Sequence, residues 1–368
     1  MRLGVNLTYQ NPVKVAQEAE RLGYDLALAP EGYRSDAATV LGTVALRTRS
    51  IHLASGVFQI PGRTPALTAL TAATLDALSG ARFRLGLGIS NPDISEGWYG
   101  VPFDRPLGRT REYVEIVRRA LGREQVTYAG EHFRLPPPGC TAAPLKLLTE
   151  PVRTHIPIYL AAVGPRSLEL AGEIADGWLG AFCTPESLAR SLHHLRNGRI
   201  RAGGELDGFE VLPGVPVAVN DDLDAAVDAV RGYVAHFIGM GDRRRNFYYG
   251  LAERMGFERE AAAIHERHAA GDLQGARAVV PAEFVDRVSL LGPIARIADR
   301  MNDYMDNGAT TLVVSPFAAT REGQAEVLHA VAAARESLRP VRGDEDRGVA
   351  ARGRGGARRS VRQEGLLQ

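Results

Sequence analysis

At 368 residues, 45% of them hydrophobic, the chain is long enough for one large α/β barrel or two ordinary domains, so core size is not limiting. A formal net charge of +1 gives no bulk electrostatic case for nucleic acid or an anionic membrane, which leaves a small-molecule partner as the default. Cys140 and Cys183 alone make neither a disulfide framework nor a thiolate metal cage, and with no signal-peptide core or apolar run of about 18 residues, a cytoplasmic protein outside the membrane is expected.

In chain order, Arg2 to Leu7 reads as a strand, and Pro12 to Gly23 as a helix with Val13, Ala16, Ala19 and Leu22 at helical spacing. DLALAP at 25–30 is the next strand, Asp36 caps a helix through Leu46, IHLASGVFQ at 51–59 is the third strand, and Thr64-Pro65 opens a helix closed by Ser79-Gly80. The fourth strand places Gly86 and Gly88 between Phe83, Leu85, Leu87 and Ile89, a pattern that lets other backbone approach closely. After Ser90 about 18 residues pass before helical periodicity resumes, long for a connection of this kind. Trp98, Tyr99 and Phe103 within it indicate an ordered loop over a pocket, although the same amphipathic rings also suit plain anchoring to the core.

A helix near 108–121 is followed by a small hairpin around Gly130 and a Pro-rich connection at 136–144. The alternation then continues through IPIYLAA at 156–162, a helix at 165–175, GWLGAF at 177–182, a helix from Pro185 to Ala202, and VLPGVPVAVN at 211–220. The helix from Asp222 to about Phe237 leads into 240–290, rich in Arg, Ala and aromatic residues, where two or three added helices are expected to cover the pocket or form a subunit interface. GPIARIADRMNDYMDNGA at 292–309 is an outer helix, TTLVVSP the last strand, and a final helix ends near Leu338. Pro340 to Gln368 is Arg- and Gly-rich without periodicity, the composition of a disordered tail.

Eight mostly apolar strands, each followed by a helix, predict a single (β/α)8 barrel over 1–339, with an inserted loop and hairpin at 91–155 and a helical insertion at 240–290. A doubly wound sheet is the competitor, but GLGISN at 86–91 does not match the GxGxxG fingerprint. Barrel chemistry sits at the carboxyl ends of the strands, which selects Asn6 and Tyr9, Glu31, Tyr33 and Asp36, Val57 to Arg63, Ser90 to Trp98, Val163 to Ser167, Phe182 to Thr184, and Asn220.

Within AAVGPRS at 161–167, Gly164 permits close approach, Pro165 starts a helix, and the free N–H groups near Arg166 suit a phosphate, though the same residues also make an ordinary tight connection. Glu31 suits a proton donor or acceptor if the mouth buries it, and otherwise a solvated carboxylate or cap. His193 and His194 point apart, and His265 and His268 share a face in an Arg-rich segment, so no metal site is expected. Without GxSxG or a readable triad, a bound cofactor is expected to bring the reactivity.

APEGYRSDA, SGVFQIPGRTP, LDALSGARFRLGLGIS with EGWYGVPFDRP, IPIYLAAVGPRSLELAGEIADGWL and GPIARIADRMNDYMDNGATTLVVSP together resemble the luciferase-like monooxygenase superfamily, particularly its deazaflavin (coenzyme F420) branch. The resemblance covers 1–200 and resumes at 292, leaving 240–290 without a usable motif. It implies a TIM-like barrel, F420 as cofactor with FMN as the alternative, a small organic substrate, a homodimer, and a separate reductase if FMN is used. It places the ring over a bulge after strand three, mapped to Gly56-Val57, where relatives often carry a cis peptide. Phosphate contacts fall on Ser90, Val163, Gly164, Arg166 and Thr184, a proton role on Glu31, and the substrate pocket on Tyr9, Tyr33, Trp98 and Tyr99. Asn91-Pro92-Asp93 and Pro30 depart from the expected pattern and put the pocket's shape in question. Hydride transfer by F420 is the leading expectation; an FMNH2-dependent monooxygenase and a non-catalytic ligand-binding barrel are the alternatives.

Overall fold

A computed structural model describes residues 1–338, and the Arg- and Gly-rich tail lies outside the described residues. The first half runs β1 (Arg2–Asn6), α1 (Pro12–Arg21), β2 (Leu26–Ala29), α2 (Ala37–Ala45), β3 (His52–Ser55), β4 (Phe58–Gln59), α3 (Pro65–Ser79), β5 (Phe83–Gly88) and α4 (Pro106–Leu121). A hairpin of β6 (Tyr128–Ala129) and β7 (Arg134–Leu135) follows, then β8 (Ile158–Ala161), α5 (Pro165–Ile174), β9 (Gly177–Ala181), α6 (Pro185–Arg201) and β10 (Glu210–Val219). Beyond these come α7 (Leu223–Gly239), α8 (Phe247–Arg254), α9 (Glu258–Ala269), α10 (Leu273–Ala278), α11 (Ala282–Arg287), β11 (Leu290–Gly292), α12 (Ile294–Asp306), β12 (Thr311–Pro316) and α13 (Arg321–Glu336).

Parallel pairing in the order β1-β2-β3-β5-β8-β9-β10-β12, with β12 returning to β1, closes an eight-stranded barrel. The strands are apolar on both faces because one face meets the helices and the other the barrel interior. Leu26, Leu28, Ala54, Tyr159, Leu212 and Val313 fill the interior, while Leu3, Val5, Leu53, Phe83, Leu85 and Val314 face the helical ring. At the amino-terminal end the interior turns polar, and Arg2 pairs with Glu210 at 2.9 Å. Asp36, Thr64 and Thr184 cap α2, α3 and α6 through Thr39 N, Leu67 N and Ser187 N, each such cap stabilising by about 1 kcal/mol.

Two features depart from the sequence expectation. The segment 51–59 is not one strand, because the ladder to β5 breaks after Ala54 and resumes at Phe58. The 220–293 region holds five helices rather than the regular outer helix plus two or three. Helix α7 packs with α8–α11 in a separate apolar cluster around Val230, Val234, Ile264 and Phe284, whereas Ile297, Met301 and Tyr304 of α12 belong to the main core. Thus α12 is the outer helix between β10 and β12, and α7 belongs to the added layer at the carboxyl ends of the strands. Short β11 pairs with Val217 to Val219 of β10, a pairing the sequence reading lacked.

The broken ladder depends on the β5 glycines. The Gly86 N–H donates to Ser55 Oγ at 2.9 Å, and Ser55 Oγ–H donates to Gly86 O at 2.8 Å, so a side chain replaces the lost backbone rungs. A Cβ on Gly86 would stand 1.9 Å from Ser55 O, and one on Gly88 would stand 2.5 Å from Val57 Cγ2. Gly86→Ala is therefore expected to cost at least about 3 kcal/mol in urea unfolding, at the upper end for overpacking, because the obstructing atom is backbone.

Candidate active site at the barrel mouth

The bulge between β3 and β4 carries a cis peptide at Gly56-Val57, the position where the resemblance implied one. Glu31, just beyond β2, fixes the bulge from the side. Its Oε2 accepts the Gln59 N–H at 3.0 Å, and both oxygens meet Arg63, with Arg63 Nη2 to Oε1 at 2.7 Å. Side-chain exposure is 6% for Glu31 and 12% for Arg63, so this ion pair is buried. Arg63 also donates to Asp36 at the cap of α2 and lies over the Phe58 ring at 4.5 Å. Burial opposes ionisation of Asp36, but hydrogen bonds from Thr39 and the charge of Arg63 prevail and hold its carboxyl below the usual range.

Tyr99 joins this cluster from the loop after β5. Its ring lies on Gly62, where a Cβ would stand 2.6 Å from Tyr99 Cζ. Burial, then the Glu31 carboxylate, raises its phenol pKa against the opposing Arg63 charge. Trp98, 64% exposed, points away from the core, and Tyr9 and Tyr33 are exposed on the rim at 56% and 51%. The structure thus brings Glu31, Tyr99 and the bulge together and leaves Tyr9, Tyr33 and Trp98 as a solvent-facing edge.

Across the mouth, Ser90 follows β5 in the left-handed region at φ 65°, an uncommon conformation for a residue with a Cβ. Val163 and Gly164 lead into α5, and Ser167 Oγ accepts the Gly164 N–H at 3.0 Å. The Arg166 and Ser167 amides lie in the first turn, where helix geometry provides no carbonyl partner. Trp178 Nε1–H donates to Ala162 O at 2.8 Å and anchors this connection from the core. Arg166 is exposed on the groove between α4 and α5, where Glu169 and Glu173 are paired with Arg201 and Arg111. Thr184 is 3% exposed, with its hydroxyl engaged in the α6 cap at Ser187 N, 3.1 Å away.

Sequence reasoning selected Phe182 by its place at the end of a strand but not Tyr233, Phe237, Tyr248 and Phe317, the rings that share the opposite sector with it. Phe182 after β9, at φ 52°, has ring centroids 5.4 Å from Tyr233 and Phe237 and 4.9 Å from Tyr248. Phe317 after β12 joins Tyr233 at 5.1 Å. The aromatic richness of 240–290 was a signal for Tyr248 alone, and it could not show that α8 faces the mouth; Tyr233, Phe237 and Phe317 lie outside that segment. Among the described residues no group of three or more His, Cys, Asp or Glu is placed to hold a metal ion, and no helix is long and apolar enough to cross a membrane.

The mouth fits a flat ring carrying a phosphorylated tail. A smooth backbone bulge, backed by glycines, lies across from a helix amino-terminus with unpartnered amides, a ready anion site. Gln59 Oε1, beside the bulge, is buried and has no hydrogen-bond partner, an unmet acceptor that a ligand N–H would satisfy.

The closed parallel barrel with an interrupted third strand and an added helical layer defines the class, a TIM-like barrel, a fold whose sites lie at the carboxyl ends of the strands. The profile of the luciferase-like monooxygenase family matches residues 2–311, and the chain belongs to that family. It is 37% identical over 329 residues to Rv3520c of Mycobacterium tuberculosis, named as a coenzyme F420-dependent oxidoreductase, covering 86% of this chain and 95% of that one. It is 30% identical to the 5,10-methylenetetrahydromethanopterin reductase of Archaeoglobus fulgidus, covering 86% and 92% of the two chains. The structure of the coenzyme F420-dependent tetrahydromethanopterin reductase of Methanopyrus kandleri superposes with a TM-score of 0.78 at 25% identity, covering 90% and 97%.

Removing one member of the Glu31–Arg63 pair strands the other charge inside. Arg63→Met is expected to lose about 3–5 kcal/mol in urea unfolding, and the double variant with Glu31→Gln to recover part of it.

Proposed function

We propose that the protein is an F420-dependent oxidoreductase that transfers a hydride between the deazaflavin ring and a small organic substrate at the barrel mouth. The observation that carries this reading is the glycine-backed bulge facing an open helix amino-terminus, on a chain 37% identical across most of its length to a relative named for F420.

Gly56 and Val57 would support one face of the ring, with Gln59 Oε1 available to accept from a ring N–H. Ser90, the Val163–Gly164 backbone and the Arg166 amide and guanidinium would hold the phosphate, and Thr184 would support them by fixing the start of α6. When bound, F420 supplies or accepts the hydride at a ring carbon. The chain's own residues then orient the ring, exclude water and place the substrate. Tyr9, Tyr33, Trp98 and Tyr99 form the substrate's entrance, with Tyr99 set deepest.

Glu31 is read as a positioning residue, because its oxygens are already taken by Arg63 and the Gln59 amide. A proton-transfer role and a positioning role separate in Glu31→Gln. Positioning predicts about ten-fold weaker F420 binding with an unchanged pH profile of kcat, whereas proton transfer predicts that one limb of the profile disappears with F420 affinity intact.

The same reading takes the protein as a cytoplasmic homodimer, with a separate reductase needed if FMN is the cofactor instead. Leu67, Leu70 and Leu78 on α3, 47%, 44% and 45% exposed, offer an apolar face that supports self-association. The function is tested anaerobically by following F420 absorbance with a panel of ketones, aldehydes and imines. Substrate-dependent oxidation of reduced F420 is expected. Oxygen consumption with reduced FMN and no turnover with F420 would overturn it in favour of a flavin monooxygenase.

A further inference from the structure

The added layer reaches across the mouth from the β10 side to the loops on the far side. Asn91 Nδ2 donates to Met240 Sδ at 3.5 Å, and the Asp93 carboxylate abuts Gly241. Arg245 pairs with Glu96 at 3.5 Å and lies over the Phe103 ring at 5.5 Å. The added helices therefore roof the site.

The roof's underside is aromatic. Tyr233 and Phe237 of α7 and Tyr248 of α8 gather around Phe182, with Phe317 completing the arc. Phe182 itself is 3% exposed and lies against Tyr233, Phe237 and Tyr248, while Phe317 meets Tyr233. Those four keep partial solvent exposure. Burial pushes the Tyr248 phenol up to about 12 and raises that of Tyr233 as well. Among the described residues neither hydroxyl is hydrogen-bonded to a carboxylate, guanidinium or ammonium; the Tyr248 phenol acts on Tyr233 and the Cys183 thiol on Tyr248. The left-handed Phe182 points the same way, since bulky residues at positive φ cluster where function over-determines the backbone.

We propose that Tyr233, Phe237, Tyr248 and Phe317 form the substrate subsite, and that it takes an uncharged substrate with a flat, unsaturated body, such as an aryl or conjugated ketone. This rests on reading the mouth as the F420 site. Offset and edge-on packing against four rings rewards a planar π system over a saturated body of equal size. Partly exposed rings without an ionised partner do not offset the desolvation of a charged one. In the reaction such a ketone undergoes, the carbonyl carbon takes the hydride, the C–O π pair moves to oxygen, and oxygen takes one proton from solvent to give the alcohol.

The test is calorimetric titration of the full chain with 2-acetylnaphthalene, cyclohexyl methyl ketone and 6-acetyl-2-naphthoate, with F420 titrated separately. The aryl ketone is expected to bind at least ten-fold tighter than the saturated and carboxylated ketones. Phe237→Leu and Phe317→Leu are each expected to weaken it about five-fold while F420 binds as in the parent protein. Equal binding of the saturated or carboxylated ketone, or no loss in either variant, overturns the proposal. The probe ranking uses the unaltered protein, so it stands even if a variant fails to fold. Aryl-ketone preference without F420 binding would sink the cofactor reading and keep the subsite, whereas F420 binding without ketone binding would do the reverse.

Discussion

Where β3 leaves the ladder, its lost rungs are replaced by one serine side chain, and room for the departure exists only because β5 has no Cβ at Gly86 or Gly88. Everything proposed for the mouth depends on this exchange. It lets the backbone of Gly56 and Val57 stand proud of the barrel, and the buried Glu31–Arg63 pair ties that raised segment to the ends of β2 and α2. A bare bulge would be free to shift. Here Tyr99, Phe58 and Gln59 close on it from three sides, a first layer of contacts supported by a second.

The two halves of the mouth differ in their electrostatics. The β2–β5 side carries Glu31, Arg63 and Asp36, all mutually paired, while the β8–α5 side offers unpartnered helix amides and an exposed arginine. The β9–β12 side is aromatic. In the proposed reading, paired charges give rigidity, free donors suit an anion and rings suit an organic body. The added helical layer completes the third of these and latches to the loop of the first.

Much of this was legible from spacing alone. Alternating glycines in FRLGLGIS announced a close backbone approach, and what approaches proved to be the bulge. Asp36, Thr64 and Asp222 announced helix starts, and all three cap as expected. Other features depend on contacts between residues far apart in sequence. Nothing local to Glu31 says that Arg63 will saturate it, so the sequence leaves a proton-transfer role and a solvated carboxylate or cap both open. The periodicity of α7 is that of any outer helix, and only its packing with α8–α11 assigns it to the roof. Asn91 and Asp93 read as departures from a pattern, whereas their role is to meet Met240 and Gly241.

The central claim is that this mouth binds a deazaflavin. Equilibrium titration of the purified protein with F420 and with FMN, each oxidised and reduced, followed by ring fluorescence or absorbance, tests it directly. The account predicts saturable binding of F420 that is clearly tighter than that of FMN in either redox state. Preference for FMN, or binding of neither, would contradict it.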